Sequence, residues 1–255
     1  MIDKEMNELE KQCQKIWDEL GSWWDSSVMD GDYFHQAFVF PSIVKLLELQ
    51  GGELILDAGC GNGALSRLIH QRGGEVLGVD FSSSLIKQAQ ERSPDIQYKH
   101  ISLTDTTSLL ELSKSKQFDR VVCSMVLHDM PTVTPFFKSL RTLLKPNGYF
   151  IFSLPHPCFN SPSVQFEPKA CLTIRDYQDQ TMVKMRSKPG QPIEQLVFHR
   201  PIQTYFNLLI AEGMVMNGFE EPCVDPKILP EESLWRERSR IPPALISRWI
   251  FANKL

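Results

Sequence analysis

A glycine-rich turn between a short apolar strand and an amphipathic helix restricts this chain to a narrow set of folds. Leu54-Ile55-Leu56 reads as a buried strand, Asp57-Ala58-Gly59-Cys60-Gly61-Asn62-Gly63 follows, and Ala64, Leu65, Leu68 and Ile69 mark one face of the next helix. Glycine admits positive φ and lets backbone come close to a ligand, while a helix N-terminus offers free N–H groups. The run Gly59 to Ala64 also fits the pattern G-x-G-x-x-G/A. Asp80 closes the following strand at about the 20-residue spacing of a ribose-binding carboxylate. An adenosine-type ligand is therefore expected at this turn.

The segments around the turn extend the same rhythm. Glu75 to Val79, Ile96 to Leu103, Phe118 to Ser124 and Tyr149 to Leu154 read as strands. Helical patterns separate them: Leu85, Ile86 and Ala89 behind the N-caps Ser82 to Ser84, then Val133, Phe136, Phe137, Leu140, Leu143 and Leu144 after Pro131. Alternating strands and helices imply right-handed crossovers and a mostly parallel sheet covered on both faces. Ahead of it, Met6, Leu9, Cys13, Ile16, Trp17 and Leu20 form a helical stripe that Gly21 is expected to stop, and Ile43 to Leu49 form a second helix. Residues 1–48 are thus expected to be a helical cap and 49–255 the core. Within the core, 155–198 reads as an inserted cap segment, because six prolines (Pro155, Pro157, Pro162, Pro168, Pro189 and Pro192) forbid a long helix. Cys171–Tyr177 and Thr181–Arg186 are expected to pair there as a hairpin. A helix over Pro201–Glu212 and strands over Met214–Phe219 and Ala244–Asn253 complete the chain.

Composition narrows the partners. A net charge of -4 and a pI of about 5.9 give no basic balance for nucleic acid or an anionic membrane, and none is expected. The six cysteines form no Cys-x-x-Cys pair, so neither a zinc site nor a disulfide framework is suggested. The charged start Met1-Ile2-Asp3-Lys4-Glu5 is unlike a signal peptide, and no apolar run approaches the roughly 18 residues of a membrane span. A cytoplasmic protein without a metal is the expectation.

Asp57 discriminates between adenosine ligands. A carboxylate two residues before the first glycine repels a pyrophosphate but attracts the ammonium of a methionine moiety. Here the chain strongly resembles the class I S-adenosylmethionine-dependent methyltransferases, whose first motif matches Leu56 to Gly63 straight through. The resemblance implies a Rossmann-like seven-stranded α/β sheet of order 3-2-1-4-5-7-6, and S-adenosylmethionine as cofactor with S-adenosylhomocysteine as product. It implies cofactor contacts at Asp57, Ala58, Gly59, Cys60 and Gly61. Asp80 would take the ribose hydroxyls, Phe81 would cover the adenine, and Thr104-Asp105-Thr106 would supply the acceptor for its amino group. Ser124 and Met125 would face the methionine end. The match is firm over residues 50–154 and loose beyond.

The acceptor leaves less trace. Methyl transfer needs alignment and a dry site, with a base only where the nucleophile must lose a proton. The Asn/Asp-Pro-Pro-aromatic motif of adenine and glutamine amino-methyltransferases is replaced by Ser124-Met125-Val126-Leu127. Cap segments rich in aromatic residues suit a small, partly apolar or aromatic acceptor of ubiquinone-biosynthesis-like or natural-product type. His128 and His156 stand just past the fourth and fifth strands and are the candidate catalytic groups, against a structural role for each. Trp24, Tyr33, Phe34, His35 and His199 are the candidate acceptor-binding residues. Two other functions use the same loop: an NAD-dependent oxidoreductase, and a non-catalytic adenosylmethionine-binding protein.

Overall fold

A computed structural model describes residues 2–167, 171–229, 231 and 234–252; Met1, Pro168 and Asn253, named above, lie outside them. Its centre is a seven-stranded sheet built from β1 (Leu54–Ala58), β2 (Glu75–Asp80), β3 (Gln97–His100), β4 (Phe118–Ser124), β5 (Leu144–Pro155), β10 (Met214–Glu220) and β11 (Ala244–Phe251). The order is β10-β11-β5-β4-β1-β2-β3, which is the expected 3-2-1-4-5-7-6 arrangement once the strands of the inserted segment are set aside. β3, β2, β1, β4 and β5 are parallel, and β11 inserts antiparallel between β5 and β10.

Side chains alternate across this sheet with period two. Leu56, Ala58, Val121, Cys123, Phe150 and Phe152 enter one buried cluster, which α5 (Thr106–Ser115), α6 (Thr134–Leu143) and α7 (Ile202–Ala211) cover. Ile55, Val122, Tyr149 and Ile151 enter a second cluster on the opposite face, with α2 (Phe40–Leu47), α3 (Ala64–His70) and α4 (Ser83–Arg92). Three layers result, and the carboxyl ends of the parallel strands lie along one edge. In such sheets that edge is where ligands bind.

The N-terminal helix departs from expectation. α1 spans Ile2–Val28 and passes straight through Gly21. A glycine inside a helix costs about 1 kcal/mol relative to alanine. Here it permits a close crossing, since a Cβ on Gly21 would lie 2.2 Å from Ser84 Oγ on α4. Cys13, Trp17 and Leu20 are buried on the side facing α4 and the inserted segment. α1 is therefore a roof laid across the strand ends.

The inserted segment pairs differently from the expected hairpin. β6 (Val164–Glu167) pairs with β7 (Cys171–Ile174), and β8 (Thr181–Met185) pairs with β9 (Gln195–His199). The apolar register explains the second pairing: all of β9 is buried against the body of the protein, and β8 can only join its outer side.

Candidate active site

The carboxyl edge of the sheet and α1 enclose a cleft with about 970 Å³ of atom-free space, part of it open to solvent. Asp57, Gly59, Cys60 and Gly61 line it from the turn after β1, Asp80 and Phe81 from the end of β2, Thr104 from the loop after β3, and Ser124 and Met125 from the end of β4. Ala58 is wholly buried in the core beneath. Gly59 has φ +79°, and a Cβ on it would lie 2.4 Å from Val126. Gly61 has φ +53° and nothing within 4 Å of where its Cβ would stand, so the backbone leaves a cradle. Met125 also has positive φ, +57°, with its N–H held by the carbonyl and hydroxyl oxygens of Ser153, each at 3.1 Å. Such conformations are strained for a side-chain-bearing residue and concentrate at ligand sites.

Two buried carboxyls flank the cradle. Asp57 accepts from Ser66 Oγ at 2.6 Å, and burial raises its pKa to about 7. Asp80 accepts from Gly61 N at 2.9 Å and Ser82 N at 2.8 Å, and burial raises it to about 6. Among the described residues no lysine or arginine lines the cleft. A ligand bringing an ammonium and a vicinal diol supplies what these groups lack, so the donor set fits an adenosylmethionine-type molecule. Cys60 is buried, and burial pushes its thiol well up, so it contributes backbone and bulk rather than a thiolate.

Several expected site residues are elsewhere. Asp105 caps α5: it accepts from Thr107 N and Ser108 N at 3.1 Å and from Ser108 Oγ at 2.6 Å, and it faces solvent beside Thr106. His156 is buried outside the cleft. Its Nε2 lies 2.9 Å from Glu221 Oε1, its Nδ1 accepts from Cys158 N, and its ring stacks on Phe159. His128 and His199 line a smaller hollow beneath the inserted segment. Burial and the nearby Arg200 push His128 down to about 3, so it is neutral at pH 7, and among the described residues its Nδ1 has no hydrogen-bond partner. His199 Nε2 is 2.9 Å from the Tyr177 carbonyl oxygen. Of the aromatic cap residues, Trp24 and His35 line the cleft. Phe34 packs on Phe38 and Trp235, and Tyr33 is partly exposed.

The cleft also holds residues that sequence reasoning did not select. Glu10, Trp17, Val28 and Phe40 come from the N-terminal helices, and Asp129, Met130 and Pro131 from the loop after β4. Asp129 is 8% exposed and accepts from Gln195 Nε2 at 3.0 Å, while Gln195 Oε1 accepts from Gln191 Nε2 at 3.2 Å. Burial first, and Asp80 second, raise Asp129 to about 8. The inserted segment thus orients a carboxyl in the cleft wall. Among the described residues no cluster of metal-ligating side chains occurs, and no helix is long and apolar enough to cross a membrane.

Three ion pairs hold the end of the roof and the turn beyond it. Asp25 pairs with Arg92 at 2.6 and 2.8 Å and accepts from Asn62 Nδ2 of the glycine turn at 2.9 Å. Arg67 of α3 reaches Asp30 at 2.8 Å. Asp32 pairs with Lys188 of the inserted segment and lies 2.7 Å from His35 Nδ1.

Comparison with known proteins agrees with this geometry. Residues 56–152 match a family model described as a methyltransferase domain. A ubiquinone biosynthesis O-methyltransferase of Histophilus somni is 28% identical over 159 residues, covering 59% of this chain and 66% of the relative. The enzyme of the same name from Pasteurella multocida is 30% identical over 163 residues, covering 59% and 63%. The chain thus spans a little under two thirds of the length of these relatives. A crystal structure of an S-adenosylmethionine-dependent methyltransferase from Mesorhizobium loti superposes with a TM-score of 0.64 at 27% identity, covering 82% of this chain and 95% of that one. The magnesium protoporphyrin IX methyltransferase of Synechocystis, at 17% identity and a TM-score of 0.60, shares the fold.

Proposed function

On the premise that its core is a class I S-adenosylmethionine-dependent methyltransferase domain, we propose that this chain methylates a small acceptor that is neutral or cationic and largely apolar. One observation carries the reading: Asp57 and Asp80 lie buried beside a glycine cradle, with no lysine or arginine among the described residues lining the cleft. The bound cofactor supplies an electrophilic methyl on a sulfonium. Asp57 at the end of β1 holds the ammonium end of the molecule, and Asp80 at the end of β2 takes the ribose hydroxyls. Ser124 and Met125 stand at the end of β4, beside the methionine end. Trp17, Trp24, Val28 and Phe40 exclude water from above, which strengthens every polar contact inside.

Asp129 is the group placed to receive the proton of a hydroxyl or amine acceptor, with Gln195 as its positioning residue. A base with pKa near the working pH is the efficient one, and that position suits Asp129 better than His128, whose Nδ1 is enclosed in a separate hollow. Glu10, Asp57, Asp80 and Asp129 line the cleft and no lysine or arginine does among the described residues, so an anionic acceptor meets acidic groups and no lysine or arginine to pair with.

Calorimetric titration with S-adenosylhomocysteine and with NAD tests the cofactor. Binding of NAD without S-adenosylhomocysteine ends the methyltransferase reading. Labelled methyl transfer to matched aromatic acceptors that are neutral, cationic or anionic tests the charge argument, which an anionic acceptor of highest kcat/KM would sink.

A further inference from the structure

We propose that Glu10, on the roof helix, recognises the base of the bound nucleoside by accepting a hydrogen bond from its exocyclic amino group. The inference rests on the adenosylmethionine reading of the cleft. Neighbouring strands lie about 4.8 Å apart. A ligand with its ammonium at Asp57 on β1 and its ribose at Asp80 on β2 therefore carries its base toward the loop after β3. That loop presents Ser102, Leu103 and Thr104 to the cleft, and Glu10 closes the same end from above. Asp105, the expected acceptor, has both oxygens occupied in capping α5.

The Ser102 and Thr104 hydroxyls both donate to Glu10 Oε1. Among the described residues Glu10 Oε2 has no hydrogen-bond partner. The two hydroxyls thus spend their protons on the carboxylate and leave it as an acceptor facing the cleft. An ionised carboxylate has no donor to offer, so one aimed at the exocyclic position favours the amino group over the keto oxygen that replaces it in hypoxanthine, whose new N–H sits on the neighbouring ring nitrogen. The position of Glu10 is set by its own helix. Further along α1, Gln14 Nε2 donates to Phe81 O at 2.8 Å, and Asp18 accepts from Ser82 Oγ at 2.8 Å and Ser84 N at 3.1 Å. Glu10, Gln14, Asp18, Gly21 and Asp25 recur every three or four residues, a polar stripe beside the apolar one. The roof therefore completes the cofactor site rather than only covering it.

Titration of the full chain with S-adenosylhomocysteine and S-inosylhomocysteine tests the proposal. Sites built to bond a ligand N–H reject the analogue lacking it by large factors, and for this half-buried carboxylate the wild type is expected to prefer the adenosyl ligand by roughly 30-fold or more. Glu10→Gln keeps the size and can still accept from Ser102 and Thr104, but its amide can also turn a donor to the keto oxygen. Its preference should fall to within about threefold of unity, with the melting temperature unchanged. Glu10→Ala should lose the preference as well. A wild type without preference, or a preference that survives both substitutions, overturns the assignment. Binding of neither ligand overturns the adenosylmethionine reading beneath it.

Discussion

Replacing Asp129 by asparagine isolates the cost of holding a carboxyl in the cleft wall. The asparagine oxygen can still accept from Gln195 Nε2, so the change removes a titration and little else. The folded-state pKa is raised, from 3.8 to about 8. A raised acid favours folding only while protonated. Its contribution is complete below the unfolded pKa and is lost progressively as pH climbs to the folded one. The wild type should therefore match Asp129→Asn near pH 4, fall behind it between about pH 4 and 8, and run parallel above. Each pKa unit corresponds to 1.36 kcal/mol, which sets a ceiling of about 6 kcal/mol; relaxation around a buried charge brings the expected gap to roughly 2–3 kcal/mol. For a chain of this size that is about 5–10 °C in Tm. Thermal melts of both proteins without ligand, from pH 4 to 9, read it directly. Asp57 and Asp80 titrate in both, and Asp80, which Asp129 repels, titrates more easily in the asparagine variant, which widens the gap in the same direction. Melting curves that stay parallel over the whole range would refute the burial argument for Asp129. In the same variant, turnover should fall by two orders of magnitude or more if Asp129 receives the acceptor proton, while S-adenosylhomocysteine affinity stays within about twofold.

Other substitutions separate the cleft from its surroundings. Asp80→Ala should weaken S-adenosylhomocysteine binding by about 1.5–3 kcal/mol, the scale of hydrogen bonds to a charged group; calorimetry giving unchanged affinity would mean the ribose lies elsewhere. His156→Ala should lower Tm, because Glu221 and Cys158 N lose their partner, yet leave cofactor affinity and kcat within a few-fold; a hundredfold fall in kcat would return it to the mechanism. Gly21→Ala forces a methyl against Ser84 Oγ and should cost about 1–3 kcal/mol by overpacking, despite the better helix propensity of alanine; a rise in Tm would contradict the close crossing. S-adenosylhomocysteine at 100 times its Kd should stabilise the chain by about 2.7 kcal/mol, and a melt insensitive to it would argue against binding.

The sheet was legible because its signal is local. Short apolar runs ending in Asp57, Asp80 and Ser124, each followed by a helical pattern, determine which strand ends meet at the cleft. What escaped depends on three-dimensional company. Gly21 is a helix stop by propensity, and only the approach of Ser84 makes it a crossing point. β8 has no sequence mark for β9 over β7 as partner; the buried face of β9 decides that. Asp105 carries equally the signature of a helix cap and of a nucleoside acceptor, and only the structure shows that its oxygens cap α5. His128 stood out by residue type, whereas Asp129 beside it lines the cleft, and no periodicity distinguishes the two in a loop. Glu10 had a readable signal in the polar stripe of α1, overshadowed by the apolar stripe alongside.

The ion pairs at the end of α1 and in the turn beyond it have a consequence for ionic strength. The sheet is held by apolar burial, which added salt leaves intact or strengthens. Of the Asp25–Arg92, Asp30–Arg67 and Asp32–Lys188 pairs, Asp30 stands in water at 71% exposed while Asp25 and Asp32 are largely covered, so the Asp30–Arg67 pair weakens most as the Debye length shrinks from about 10 Å at 0.1 M to about 3 Å at 1 M. The turn after α1 can thus loosen while α1 itself, packed through Cys13, Trp17 and Leu20, stays docked. Salt would act on this protein as a latch control: quicker amide exchange confined to the turn at residues 29–34, with α1 and the cooperative melting of the core scarcely moved.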